Sequence, residues 1–408
     1  MGGAAMVVPS WSARRLMALA LTFGLAIAGC GSDADVPAEE LAAAVARDGI
    51  AFEGSSTPGA VVDLLAGYDV VLLGETHHLR EHWGFVATLM GDLHGHGFRE
   101  LLVERPQMND WLVDDYVMGG ELAPDWVPPP YFDRRFTAIR ELNAMLPAAE
   151  RIHVRSIDAN EDDSGGAADF QTLFEMLVAA LPATGDVQLG LPPDYATAPP
   201  DVQHRSIEAL DSLLEAHRSS LVDAWGSSRF GQVTEMIEVE ELSIDIRELR
   251  KEDDGAAARS REDLIKMLTE RRIAEDSGGT VINIGAHHAQ LSHLMGTEQE
   301  WLGDFLAHRS TVVDGSVIVV GFTSAQTELE PGAGGAPFDV RDASPENEIL
   351  RVMAETWPGQ TVFLPLDAPL FVERKVAYNS EDVIYAASLG THFDALLQYG
   401  LAHRMPIN

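Results

Sequence analysis

Glutamate and histidine recur in this sequence where short apolar runs end. Gly74-Glu75-Thr76-His77-His78 closes one such run, with His82 five residues after His77. Glu104-Arg105-Pro106 closes a second, Asp158 a third, and Gly285-Ala286-His287-His288 a fourth, followed by Gln290 and His293. A carboxylate with imidazoles can ligate a borderline metal that activates water. The same groups can also work without metal, with His or Glu as general base. A glycine just before the ionisable group lets the backbone turn sharply and approach a ligand. In extended chain, residues two apart such as Glu75 and His77 point the same way. Glu75, His77, Glu104 and His288 are therefore the candidate catalytic set, and Glu75, His77 and His288 the candidate metal ligands. His78, His82, Arg105, Asp158 and His287 form a second tier of candidate binding residues. Taken singly, either glutamate could cap a helix or pair with a buried cation, and His82 could simply face the core. The weight lies in four such residues closing separate runs.

The elements that must position them alternate. Asp69–Gly74, Arg99–Glu104, Ile152–Ile157, Thr280–Ile284, Ser316–Gly321 and Thr361–Leu364 are short apolar runs, several of them apolar at consecutive positions, as in strands covered on both faces. Between them lie helical stretches at Leu79–Leu93, Met108–Val117, Phe132–Leu146, Ala168–Leu181 and Asp201–Ala224. This alternation predicts an α/β fold with a mostly parallel central sheet and helices on both faces. In such sheets ligands collect at the carboxyl ends of the strands, where the Glu and His residues fall. Gln232–Arg250 and Arg259–Glu275 read as two helices separated by an acidic break at Lys251–Ala258, and the region of about 200–276 as a helical cap insertion. Gly185–Pro200 and the glycine-rich Thr327–Pro337 read as loops. The expectation is a single domain over 39–408.

The first 29 residues read differently. Arg14 and Arg15 precede Leu16–Ala28, an almost unbroken apolar run too short to span a bilayer, and small residues lead to Cys30. Cys30 is the only cysteine of the 408 residues, so no internal disulfide accounts for it. The ending Ala28-Gly29-Cys30 resembles the lipobox of bacterial lipoproteins. It implies cleavage before Cys30, lipid attachment there, a tether over 30–38 and export to a membrane surface, weakly the outer membrane because Gly31 follows. The net charge is −36, with 64 acidic against 28 basic residues. So acidic a chain repels phosphate backbones, which argues against nucleic acid as a partner and leaves a small molecule as the expected ligand. The same field favours the approach of cationic or neutral small molecules over anionic ones.

Val71–His77 with His82 resembles the Gly-Glu-x-His…His opening of the ChaN-like proteins, haem-uptake lipoproteins of the superfamily that also holds the Tiki and TraB proteins. Leu101–Glu104 looks like their second acidic strand and Ile284–His288 like their late Gly-x-x-His element; the paired elements Gly74–His77 and Gly285–His288 are also similar to those of the metal-dependent Tiki proteases. The erythromycin esterase-like proteins share the arrangement, with a Glu/His site that attacks an ester through water. Arg261–Met267 is loosely similar to their Arg-Asp-x-x-Met helix, and Val319–Phe322 and Phe393–Leu396 to their C-terminal strand and helix. The opening has one residue fewer between Glu and His than the esterase pattern, and the Arg261–Met267 spacing departs from it by two. The resemblance implies a surface-anchored protein that is either a hydrolase of the esterase or metal-dependent peptidase type, or a haem- or iron-binding uptake protein without turnover. The cofactor it implies is accordingly a divalent metal, haem or none. No tyrosine falls in a motif that would mark a haem ligand.

Overall fold

The computed structural model describes residues 37–406 apart from 55, 121–131, 162–165, 185–186, 276–277, 293–298, 334–335, 343–346, 373 and 381–382. The segment expected to be a leader, Cys30 and His293 lie outside the described residues. The chain divides into a short unit ending at Leu41 and a large one, Ala42–Asn408. Everything below concerns the larger unit.

Its strands are β1 (Ile50–Phe52), β2 (Val70–Glu75), β3 (Phe98–Pro106), β4 (His153–Asp158), β5 (Gly279–Gly285), β6 (Val317–Ser324), β7 (Gln326–Leu329), β8 (Phe338–Asp339), β9 (Thr361–Pro365), β10 (Lys375–Ser380), β11 (Val383–Ser388), β12 (Ala395–Tyr399) and β13 (Ala402–Arg404). Eight of them form the central sheet in the order β1-β9-β12-β6-β2-β5-β3-β4. Only β9 runs against the others, pairing antiparallel with both β12 and β1. All six runs expected to be strands are strands of this sheet. The chain leaving β2 travels toward β3 and the chain leaving β6 travels toward β9, so the connections part at the β6–β2 boundary. A crevice is expected at such a switch point.

β2 is apolar at consecutive positions because helices cover both sides of it. Val71 and Leu73 share a core with Leu101 and Val103 and with Phe85, Val86, Leu89, Met90 and Leu93 of helix Arg80–His94. Those helix positions recur every three or four residues, which places them on one face. Val70 and Leu72, on the opposite face, are fully buried as well. Each such side chain contributes roughly 1.5–3 kcal/mol to stability.

Helices Gly166–Ala180, Pro200–Ala216, Arg218–Trp225 and Ser227–Glu252 enclose a second apolar core containing Phe170, Phe174, Tyr195, Ile207, Phe230 and Met236, and helix Asp254–Glu275 follows them. The expected break at Lys251–Ala258 shrinks to one extended residue, Asp253, whose carboxylate accepts the Ala256 N–H at 2.9 Å. Alanine propensity and that cap make Gly255–Ala258 helical despite the glycine. A second difference lies at Phe393–Leu396. The short helix Leu389–His392 ends there, and Ala395–Tyr399 forms a fully buried strand between β6 and β9. The glycine-rich loop begins as β7, which joins β8 and β13 in a small sheet.

Candidate functional site

Strand register sets the site. Glu75 stands opposite Gly285 on β5, Gly74 opposite Gly321 on β6, and Val103 opposite Asn283. Beyond Val103 the β3–β4 register slips, and Pro106 faces Asp158. Glu75, Glu104, Asp158 and Gly285 therefore share the carboxyl edge of the sheet, although up to 210 residues separate them in the chain.

Glu75 is buried, and its two oxygens have different partners. Asn283 Nδ2 donates to Oε2 at 2.6 Å, and His77 Nδ1 lies 3.0 Å from Oε1. The other nitrogen of His77, Nε2, faces Glu104 Oε2 at 3.9 Å. Glu104 is held from three sides. The Gly285 N–H donates to Oε2 at 2.6 Å, Arg261 donates to Oε1 at 2.8 Å, and His288 Nε2 lies 3.5 Å from Oε1. Arg261 also donates through Nε and a terminal nitrogen to both oxygens of Asp158, at 2.8 and 2.6 Å. His288 Nδ1 is hydrogen-bonded to Glu262, whose other oxygen accepts the Leu302 N–H at 2.6 Å. The Trp301 ring meets His288 edge-on, with centroids 5.4 Å apart.

Glycine at 285 is a steric requirement. A Cβ there would lie 2.8 Å from His77 Nε2 and 3.2 Å from Glu104 Oε2. The close approach of β5 to both side chains depends on its absence.

The two histidines differ electrostatically. The hydrogen bond to Glu75 raises the His77 pKa, burial opposes this, and the charges of Glu104 and Glu75 add to the rise. The His77 side chain remains about half exposed. For His288, burial pulls the pKa down, but the carboxylates of Glu262 and Glu104 outweigh it and push it up to about 9. His288 is thus a cation at neutral pH. Burial lowers the pKa of the adjacent His287, and the charges of His288 and His77 lower it further, so His287 stays neutral. Burial raises the Glu104 pKa, but His288, His77, Arg261 and the Gly285 N–H overcome this and hold it below its ordinary value.

A cleft of about 460 Å³ opens over this edge. Glu75, Thr76, His77, Gly285, His287 and His288 form one wall. Phe322, Phe338, Leu350, Leu389, Phe393 and Leu396 supply apolar surface, and Arg404 lines it as well.

All four candidate catalytic residues come together here. The second tier divides. Asp158 anchors Arg261, and His287 lines the cleft. His78, at φ 66°, turns the chain off the strand, and its carbonyl accepts the Met405 N–H at 2.8 Å. His82 is fully buried, with its ring 4.8 Å from Phe322 and 5.1 Å from Tyr399, on the core side of the cleft wall. Arg105 is half-buried on β3 and is not among the residues lining the cleft. Glu262, Asn283 and Arg404 were not singled out from sequence. Glu262 adjoins the recognised Arg261, and Asn283 is a polar residue within an otherwise apolar strand, so both left a local trace.

The donor set does not suit a metal ion as arranged. Among the described residues no group of three or more His, Cys, Asp or Glu is placed to hold one. Glu75 sits behind His77, on Nδ1, instead of beside its Nε2. Of the described residues lining the cleft none is tyrosine.

No family model matches the sequence, and no curated protein matches it. Solved structures do. A protein of Bacillus cereus superposes with TM-score 0.67 at 16% identity, covering 91% of this chain and 100% of its own. A succinoglycan biosynthesis protein gives 0.64 at 14%, covering 91% and 98%. A histidine-to-asparagine mutant of the erythromycin esterase EreC, in its open conformation, gives 0.57 at 15%, covering 85% and 94%. The chain therefore has the α/β fold of these proteins over nearly its whole length. The haem-binding ChaN of Campylobacter jejuni aligns with a TM-score of only 0.27 at 9% identity and carries no weight.

Proposed function

We propose that the protein is a metal-independent hydrolase that cleaves an ester of a largely apolar small molecule. The carrying observation is the setting of His77. Its Nδ1 is on the Glu75 carboxylate, its Nε2 faces open space before Glu104, and its ring borders an apolar cleft. Glu75, fixed by Asn283, holds the tautomer that carries hydrogen on Nδ1 and leaves the Nε2 lone pair free. The 3.9 Å between Nε2 and Glu104 Oε2 is too long for a direct bond, and the half-exposed ring leaves Nε2 open to a water from the cleft.

In the reaction His77 Nε2 takes a proton from that water as its oxygen bonds to the ester carbonyl carbon. The carbonyl oxygen becomes an oxyanion, and the positive charge of His288 stabilises it. On collapse the alkoxide leaves and takes the proton from His77, which returns the base to its starting state. Glu104, kept ionised by His288, His77 and Arg261, steadies both imidazoles and the water between them. The likeness to an erythromycin esterase supports the reading at the level of fold alone.

His77→Asn keeps a polar side chain of similar reach and removes the base. Loss of a general base costs about 10²–10⁴ in kcat, so turnover of a panel of hydrophobic 4-nitrophenyl esters should fall by that factor with the thermal midpoint little changed. Esterase activity surviving His77→Asn at the wild-type rate would remove His77 from the mechanism. The sequence supports a second element of the proposal, a lipid on Cys30 that holds the enzyme at a membrane surface outside the cytoplasm.

A further inference from the structure

Five ionisable side chains line the cleft: Glu75, His77, His287, His288 and Arg404. The first four belong to the histidine–carboxylate edge. Arg404 comes from the far end of the chain, on β13. Its backbone bridges to Leu79, and the next residue, Met405, donates to the carbonyl of His78. Arg404 is therefore held opposite the segment that follows His77.

Its guanidinium is singular in this setting. Nε is buried without a hydrogen-bond partner, and no carboxylate of the described residues pairs with the group. The chain has 64 acidic residues against 28 Lys and Arg, so carboxylates are plentiful. Nearby cations have found them. Arg80 pairs with Glu330 at 2.8 Å, and His403, one residue before Arg404, meets Glu81 at 2.7 Å. Arg261, across the site, bonds two carboxylates. The cleft that Arg404 lines is instead walled by Phe322, Phe338, Phe393, Leu350 and Leu396. A fixed cation bordering apolar surface, with its donors unspent, is arranged to receive an anion from outside the protein.

We infer that Arg404 recognises one carboxylate on an apolar ligand, so that the substrate of the site is a hydrophobic ester carrying a free carboxylate. The identification of an ester rests on the proposed hydrolase reading; the carboxylate does not. The planar fork of arginine matches a carboxylate bidentately, and a single guanidinium balances a single charge. A phosphate dianion would set two charges against that one guanidinium. The overall charge of −36 disfavours anions at long range, but salt screens it beyond about 8 Å at physiological ionic strength. Contact with Arg404 decides inside that distance.

Two probes of equal apolar length test the inference on the full chain. Octanoate and octanol are compared by calorimetric titration at pH 7.5 with wild type, Arg404→Met and Arg404→Lys. The expected result is octanoate binding at least tenfold more tightly than octanol to wild type, a ratio near one in Arg404→Met, and an intermediate ratio in Arg404→Lys. Octanoate binding no more tightly than octanol to wild type overturns the inference, and so does a preference that persists in Arg404→Met. If Arg404→Met does not fold, the wild-type comparison with Arg404→Lys still decides. A second arm compares the 4-nitrophenyl monoester of adipic acid with 4-nitrophenyl hexanoate. Preference for the monoester in wild type, collapsing in Arg404→Met, is expected. If neither ester is hydrolysed while octanoate binding depends on Arg404, the hydrolase reading fails and the anion site stands.

Discussion

Replacing Glu262 with glutamine tests the electrostatics of the site through the stability of the whole protein. Glu262 is 1% exposed and hydrogen-bonds His288 Nδ1 while accepting the Leu302 N–H. Against burial, its charge is the largest cause lifting the His288 pKa to about 9, with Glu104 second. In the unfolded chain a histidine titrates near 6.5. Between pH 6.5 and about 9 the folded protein therefore keeps a proton that the unfolded chain has released. Stability should fall as pH rises across that window, by up to about 1.4 kcal/mol per pH unit. The contribution is fully present below pH 6.5 and gone above about 9. Integrated, it amounts to about 3 kcal/mol, a substantial share of an ordinary stability of about 5–15 kcal/mol. Glu262→Gln keeps the size and an acceptor for Leu302 but loses the charge, so His288 should titrate closer to 6.5. Urea unfolding at pH 6, 7.5 and 9 should show the wild type losing about 3 kcal/mol over the range and the variant less than half of that. His77 titrates in the same direction in both proteins, and its effect cancels in the difference. Equal losses in the two proteins would refute the reasoning, as would a wild-type His288 ring proton titrating below pH 7 by NMR.

Three other perturbations follow from the same geometry. Gly285→Ala introduces a Cβ 2.8 Å from His77 Nε2, so it should cost about 1–3 kcal/mol of stability and lower ester turnover more than tenfold; a crystal structure with His77 undisplaced would contradict this. Arg261→Met removes a cation that helps to keep the Glu104 pKa low and leaves Asp158 without that partner. The acid limb of the pH–rate profile should then move to higher pH, and an unmoved limb would mean that Glu104 does not govern it. Cys30→Ser should move the protein from the membrane pellet to the soluble fraction on cell fractionation, and unchanged pelleting would end the lipid proposal.

What the sequence disclosed followed from local rules. Val70–Leu73 and Val281–Ile284 are strands buried on both faces, and such strands announce themselves as unbroken apolar runs. Residues that end those runs are easily listed, which is why Glu75, His77, Glu104 and His288 could be grouped. What they do to one another depends on register, which the apolar pattern does not encode. Glu75 supports His77 from behind because of the Glu75–Gly285 pairing and the Asn283 side chain one turn of the pleat earlier. His82 reads as a site residue from its spacing, yet the helix beginning at Arg80 turns it into the core beneath Phe322. β12 was missed because Ala395–Tyr399 follows helix-like context and is as apolar as a buried helix. Periodicity cannot separate the two over five residues. β13 is three residues long and owes its place to pairing with β7, so nothing local marked Arg404.

The division of labour proposed for the histidines follows from how closely each is held by its two carboxylates and how much water it retains. His288 has Glu262 on one nitrogen and Glu104 near the other, in a setting that excludes most solvent, and it cannot lose its proton near neutral pH. His77 has Glu75 on one nitrogen, keeps Glu104 at 3.9 Å on the other, and remains half open to the cleft. A base must be able to release what it takes, and a stabilising cation must not. Under the proposed mechanism two like side chains at neighbouring strand ends thus acquire opposite duties from their surroundings alone. Glu104 couples the two, because any loss of charge on it weakens the hold on His288 and on the water before His77 together. Substitutions at Glu104 and His77 should therefore be strongly non-additive in kcat, with the double variant little worse than either single one. If their effects on kcat simply multiplied, the two residues would not be acting as one unit.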